Sequence, residues 1–225
     1  MKTIQLNLYE FAELEETAKE KAIEADRYIN VDYSWWDFTY DDFIKICQTI
    51  GITVDKKNIF FRGFYSQGDG SGFVAEIDLP VLLDGIVNQK WKEYAPKLEL
   101  DLALPEIDRR VLKLIQESKL DTAPQITHPH RNYYVKAELN ENLPYSLHGY
   151  PLIEKQLDIL EDWLIKIAET LNRFLYKSLE SEYECQTTDQ AVAGALEAIE
   201  YWFTSDGKKA TRLESLSFKN SLETL

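Results

Sequence analysis

The sequence predicts an α+β protein in which an antiparallel β-sheet is covered by several helices, one of them long and placed in the C-terminal half. Three observations point there. Two β-prone, aromatic-rich runs, Ile59–Tyr65 and Phe73–Ile77, flank a loop with glycines at 68, 70 and 72, which reads as a hairpin. The aromatic, alternating character returns from His130 to Leu139, with Tyr133 and Val135 on one face and Tyr134 and Lys136 on the other, and marks a strand of the same sheet. Further on, Ile153, Leu157, Leu160, Leu164, Ile167, Leu171 and Phe174 step alternately by four and three, which places them on one face of a long helix.

The elements follow in chain order. Thr3 to Tyr9 alternates polar and apolar residues as a first strand does. A helix is expected from Ala12 to Tyr28, with Leu14, Ala18, Ala22 and Ala25 on one face and glutamates toward the N-terminal half, where the helix dipole favours them. In the next segment Trp36, Tyr40, Phe43 and Cys47 share a helical face, and Gly51 is a natural stop before the hairpin. Beyond Pro80 the pattern is helical again over Leu82–Tyr94 and Pro105–Ser118, the latter striped by Ile107, Val111, Leu112 and Ile115, with proline suited to a first turn. The long helix is expected over Leu152–Ser181. Its seam suits a core helix across a sheet, and it also allows coiled-coil pairing in a homodimer. A helix over Thr188–Ile199 and a short aromatic strand, Tyr201–Phe203, closed by an Asp206-Gly207 turn, complete the order. No Pro/Gly/Ser-rich linker divides the chain, so residues 1–213 are expected as one domain with 80–120 as a helical insertion and 214–225 as a fraying tail.

Charge narrows the function classes. The 25 basic residues face 39 acidic ones, a net of −14. Such a surface repels nucleic acid and anionic lipid, whose phosphates need clustered Lys and Arg, and favours a partner protein with a basic surface. No apolar run approaches the about 18 residues that span a bilayer, and the N-terminus lacks the apolar core of a signal peptide, so a cytoplasmic protein with no membrane contact is expected. Cys47 and Cys185 are expected to be a reduced pair of small buried side chains.

The loop after Phe64 carries the sharpest candidate site. Tyr65, Ser66, Gln67, Gly68, Asp69 and Gly70 put an aromatic side chain, amide and hydroxyl groups and a carboxylate on a glycine-rich turn that can bring backbone N–H groups close to a partner. The lysine of a phosphate-binding P-loop is absent, the ligand offsets of an EF-hand are not met, and a strand follows where a dinucleotide fold needs a helix. Asp69 is expected to accept hydrogen bonds from its own loop. Trp35, out of phase with its neighbours like Tyr65, joins the list as an exposed aromatic anchor.

No catalytic constellation stands out. Cys47 falls on an apolar helix face, where a thiol stays protonated, and no Gly-x-Ser-x-Gly elbow occurs. The pairs Asp41-Asp42 and Glu161-Asp162 are what so acidic a chain produces by chance. His128-Pro129-His130 would turn two imidazoles the same way on a strand, which keeps open a metal- or nucleotide-dependent enzyme or a small-ligand binder. Its site would lie between the hairpin loop around Gln67 and Asp69 and the segment His128 to Arg131. The leading expectation assigns no cofactor and no metal.

Several blocks together resemble a family of uncharacterised proteins common in bacteriophage and prophage genomes. They are Glu13-Leu14-Glu15-Glu16-Thr17-Ala18-Lys19-Glu20-Lys21-Ala22, Trp36 with Asp41-Asp42, Phe64-Tyr65-Ser66-Gln67-Gly68-Asp69-Gly70, the strand around Tyr133-Tyr134, and Tyr201-Trp202-Phe203-Thr204-Ser205-Asp206-Gly207. The resemblance implies a phage-type setting in a host cytoplasm and no particular reaction. Together with the charge it leads to the expectation of a non-catalytic binding protein that inhibits a host defence protein by occupying a basic surface. Acidic helix faces (Glu13, Glu16, Glu20, Glu24; Asp158, Glu161, Asp162, Glu169) would steer it, and the hairpin would supply the contact.

Overall fold

A computed structural model describes residues 6–99, 104–117, 124–128, 134–139 and 151–211. In chain order the elements are β1 (Tyr9–Glu10), α1 (Glu16–Ala25), α2 (Asp37–Thr49), β2 (Ile52–Arg62), β3 (Gly70–Ile77), α3 (Leu79–Val87), α4 (Arg109–Gln116), β4 (Gln125–Thr127), β5 (Lys136–Glu138), α5 (Pro151–Gln186), α6 (Asp189–Ala198) and β6 (Trp202–Phe203). The fold is α+β, and among the described residues every strand pairing is antiparallel. Among the described residues no helix is long and apolar enough to cross a membrane.

The chain forms two compact units, one from its two ends (1–35 and 181–225) and one from 36–180. In the first, β1 pairs with β6, Tyr9 opposite Phe203 and Glu10 opposite Trp202. Its core joins Phe11 and Leu14 to Ala18 and Ala22 of α1, Val192 and Leu196 of α6, and Phe203. The Phe11 and Phe203 rings meet edge-on at 6.0 Å. Arg27 ties α1 to α6 through the carboxylates of Glu24 and Asp189 and the carbonyl of Thr187.

In the second unit the sheet order is β2-β3-β4-β5, a meander. Phe73 and Ser71 share one face of β3. Phe73 packs edge-on against Phe43 of α2 (5.1 Å), and Ser71 Oγ donates to Asn172 Oδ1 of α5 (2.8 Å), so α2 and α5 cover the same side of the sheet. Ile153, Leu157, Leu160, Leu164, Ile167 and Leu171 of α5 are all buried within this unit, whereas Phe174, the last residue of the expected seam, is half-buried, so the seam up to Leu171 is that of a core helix. β2 bulges between Val54 and Ile59. From that bulge Lys56 reaches Asp41 (2.9 Å) and Asp37 (3.4 Å) at the start of α2.

Several elements depart from the sequence reading, each for a local reason. The first strand is Tyr9–Glu10, and residues 1–5 lie outside the described residues. The helix expected from Ala12 is a 3-10 turn, Phe11–Glu13, followed by α1, because Leu14 and Glu15 are extended (ψ 147° and 155°). The Leu82–Tyr94 helix likewise breaks into α3 and a 3-10 turn, Lys90–Glu93, at Gln89, whose φ is 52°. α4 begins at Arg109 rather than at Pro105, since the Asp108 carboxylate caps it by accepting from Arg110 N (2.8 Å). The described part of the strand expected from His130 is Lys136–Glu138; His130 to Tyr133 lie outside the described residues, as do Ser118, His148 and the 214–225 tail.

Candidate functional site

The hairpin loop is fixed by its own polar groups. Asp69 accepts from Ser66 N (2.7 Å) and its own N–H donates back to the Ser66 carbonyl (3.1 Å), closing a turn around Gln67 and Gly68. Gly63 enters the turn with φ 44°, and a Cβ there would lie 2.6 Å from Asp69 Oδ2. From α5 the Tyr176 hydroxyl donates to the Gly63 carbonyl (3.2 Å), which pins the strand end to the helix. Gly68, at φ 90°, faces open space at the tip. Asp69 therefore does hold its own loop.

Aromatic rings run through this loop. Phe61 meets Trp36 (5.4 Å) and Tyr40 (6.4 Å) of the α2 region and stacks on Phe64 (5.9 Å), which in turn meets Tyr65 (6.3 Å) and Tyr176 (5.6 Å). Burial falls along the series from Tyr40 at 6% exposed to Tyr65 at 70% exposed. A buried aromatic base thus carries an exposed tyrosine at its end, the arrangement of an interface anchor.

Beside the loop lies a cavity of about 530 Å³. Asp69 to Ser71 form one wall, Tyr134 and Val135 another, and Glu169, Asn172, Arg173 and Tyr176 of α5 the third. Asn172 is committed, since its amide also donates to the Ser71 carbonyl (2.9 Å). The lining includes both signs of charge, Asp69 and Glu169 with Arg173, and two tyrosines, Tyr134 and Tyr176. Burial and the nearby Asp69 and Glu180 carboxylates push the Tyr176 phenol above its ordinary range, so it stays a hydrogen-bond donor.

His128 directly follows β4 and packs on the sheet. Its ring stacks on Phe60 (5.1 Å, 22°), and its Nδ1–H donates to the Tyr134 carbonyl (3.0 Å). The ring occupies the space where a Cβ at position 72 would sit, so Gly72 admits it by close approach. His130 and Arg131 lie outside the described residues. Among the described residues no group of three His, Cys, Asp or Glu side chains could hold a metal ion. Cys47 is fully buried, as expected, and burial pushes its thiol far up, whereas Cys185, expected to be buried too, is exposed near the end of α5; both are free. The Asp41-Asp42 pair is divided between Lys56 and Lys45.

Of the seven residues singled out from the sequence, Tyr65 to Gly70 come together on the hairpin loop. Trp35 falls in the first unit, where it is half-buried rather than exposed, with its ring 5.7 Å from Tyr183. Gly63, Asn172, Arg173 and Tyr176 were missed. Gly63 carries a signal as the glycine that interrupts the aromatic run Ile59–Tyr65, whereas the α5 residues sit off the apolar seam of that helix.

The model of a domain of unknown function, DUF8835, matches residues 35–189, which takes in the whole second unit and little of the first. No curated protein matches the chain, and no solved structure does.

Proposed function

We propose that this protein, which belongs to the DUF8835 family, is a non-catalytic binding protein whose hairpin loop, residues 63–70, docks on a partner protein. The observation that carries this reading is Tyr65, 70% exposed on a loop already ordered by Asp69, Gly63 and Tyr176. An anchor held in one geometry loses little entropy on binding, and tyrosine buries much area for few rotatable bonds. The net charge of −14 favours a partner with a basic face. The resemblance to bacteriophage and prophage proteins makes a host defence protein the partner class to test first, with a cytoplasmic setting.

The test is capture from bacterial host lysate by the immobilised chain, read by mass spectrometry at about 0.05 and about 0.5 M salt. A retained protein should be lost at high salt and lost with Tyr65→Ala. It should be kept with Tyr94→Ala, an equally drastic cut at another exposed tyrosine. Identical retention by Tyr65→Ala and the unmodified chain sinks the reading.

A second reading draws on the cavity beside the loop, whose paired charges and hydroxyls suit a small polar ligand. A thermal-shift screen of nucleotides, amino acids and metals separates the two. A stabilisation abolished by Arg173→Gln favours the small ligand, and a flat screen leaves the docking loop as the site.

A further inference from the structure

The first unit has a cavity of its own, about 430 Å³, at the junction of β1, the following 3-10 turn, the end of α6 and β6. The buried side chains of Phe11 and Leu196 form its apolar base, Tyr201 and Trp202 add aromatic surface, and Glu10, Glu197 and Glu200 bring carboxylates. Among the described residues neither Glu197 nor Glu200 has a cationic partner. Among the described residues Glu200 is also one of two non-glycine residues with a left-handed backbone, φ 56°.

We propose that this cavity receives an arginine side chain presented by a partner protein. The chemistry follows from the lining. An apolar base takes an alkyl stem, and aromatic faces stack a planar, weakly hydrated guanidinium better than a compact ammonium. The carboxylates balance its charge. They are not gathered closely enough with other ligands to hold a metal ion, so a cation that spreads its charge over several donors fits where a point charge does not. Tyr201 already meets a cation, with Lys209 Nζ 4.0 Å from its ring, and that lysine's charge is taken up by Asp26 (2.7 Å). The surroundings reinforce the sign. In the described parts of this unit 14 acidic residues face 5 basic ones, against 20 and 15 in the other.

This proposal does not rest on the hairpin reading, and the two fail separately. The test titrates the ¹⁵N-labelled full chain with N-acetyl-arginine methylamide, its neutral citrulline isostere and the lysine analogue, following the Trp202 indole and the amides of residues 196–202. Saturable shifts confined to that set are expected with the arginine probe, at a Kd of about 1 to 10 mM, with no saturation by citrulline. The Glu197→Gln, Glu200→Gln double variant should bind about tenfold more weakly. Glu16→Gln, Glu20→Gln, the same change of charge on the exposed face of α1, should leave Kd unchanged, as should Tyr65→Ala. Equal shifts with citrulline, equal binding of the lysine probe, or shifts spread over the acidic residues of α1 overturn the assignment. Signal dispersion in each spectrum confirms that the variants are folded.

Discussion

Gly207 shows how much one missing side chain can decide. It lies at φ 84° in the turn after β6, and a Cβ there would overlap the carbonyl of Ala18 in α1. Gly68 has nearly the same φ, 90°, but faces open space. Both positions charge an alanine the left-handed cost of about 1 kcal/mol, and only Gly207 adds a backbone overlap that neither side can relieve cheaply. Urea melts should therefore lose about 1 kcal/mol with Gly68→Ala and about 3 kcal/mol with Gly207→Ala; equal losses would mean that the turn moves freely off α1. The same turn contains a carboxylate with an unusual titration. Hydrogen bonds from Lys208 and then Thr204 hold Asp206 down to about 2, below its ordinary 3.8. A depressed carboxylate contributes its stabilisation above the ordinary value and loses it as pH falls through the folded one. An NMR titration of the Asp206 side chain should thus show a midpoint near 2 that rises toward 3.8 in Lys208→Met. Thiol chemistry separates the cysteines as sharply: a thiol reagent should label Cys185 at once and Cys47 only after unfolding. Of these residue-scale features the buried thiol and the Asp-Gly turn were legible in the sequence. The overlap with Ala18 was not, because it joins residues 189 positions apart.

Element boundaries were legible where a cap coincides with the start of an apolar stripe. α6 is the clear case: Thr188 Oγ1 accepts from Ala191 N (3.2 Å), and Val192 and Leu196 then turn inward. Thr188→Ala should cost about 1 kcal/mol and be seen first as faster hydrogen exchange at Asp189 to Ala191; unchanged exchange would show that packing alone sets this helix start. α4 was misplaced because proline and an acidic cap compete as start signals, and the Asp108 carboxylate, three residues further on, prevails. α1 was overextended for a different reason. Phe11 and Leu14 look like one helical face, yet both reach the core from either side of an extended break. β4 escaped notice, since Gln125–Thr127 contains one buried apolar residue, Ile126, and its strand state comes from pairing with Ala75 and Ala137. The loop at 63–70 was legible as a turn, but its third wall in α5 was not. Asn172 and Tyr176 become site residues only when the helix lies on the sheet.

At the scale of the molecule, the −14 net charge was plain in the composition while its distribution was hidden, because one unit is assembled from the two ends of the chain. That unit carries 14 acidic and 5 basic residues in its described parts, a net of −9, and the other 20 and 15, a net of −5. Three of the five cations are already paired: Arg27 with Glu24 and Asp189, Lys208 with Asp206, and Lys209 with Asp26. Exposed pairs of this kind contribute about 0 to 1 kcal/mol each and weaken with salt, which argues for destabilisation at high ionic strength. Against them stands the repulsion among the remaining carboxylates, which salt also screens over a Debye length that falls from about 30 Å at 0.01 M to about 10 Å at 0.1 M. The unpaired excess outweighs the paired charges here, so repulsion is the larger loss to relieve. Raising salt should therefore slow hydrogen exchange in α1 and α6 by about threefold or more, with a smaller change in β2 and β3, whose unit is nearer balance. Equal protection gains in both units would place the self-repulsion across the whole surface instead. Faster exchange in α1 and α6 at high salt would show that the Arg27 and Lys209 pairs govern this unit.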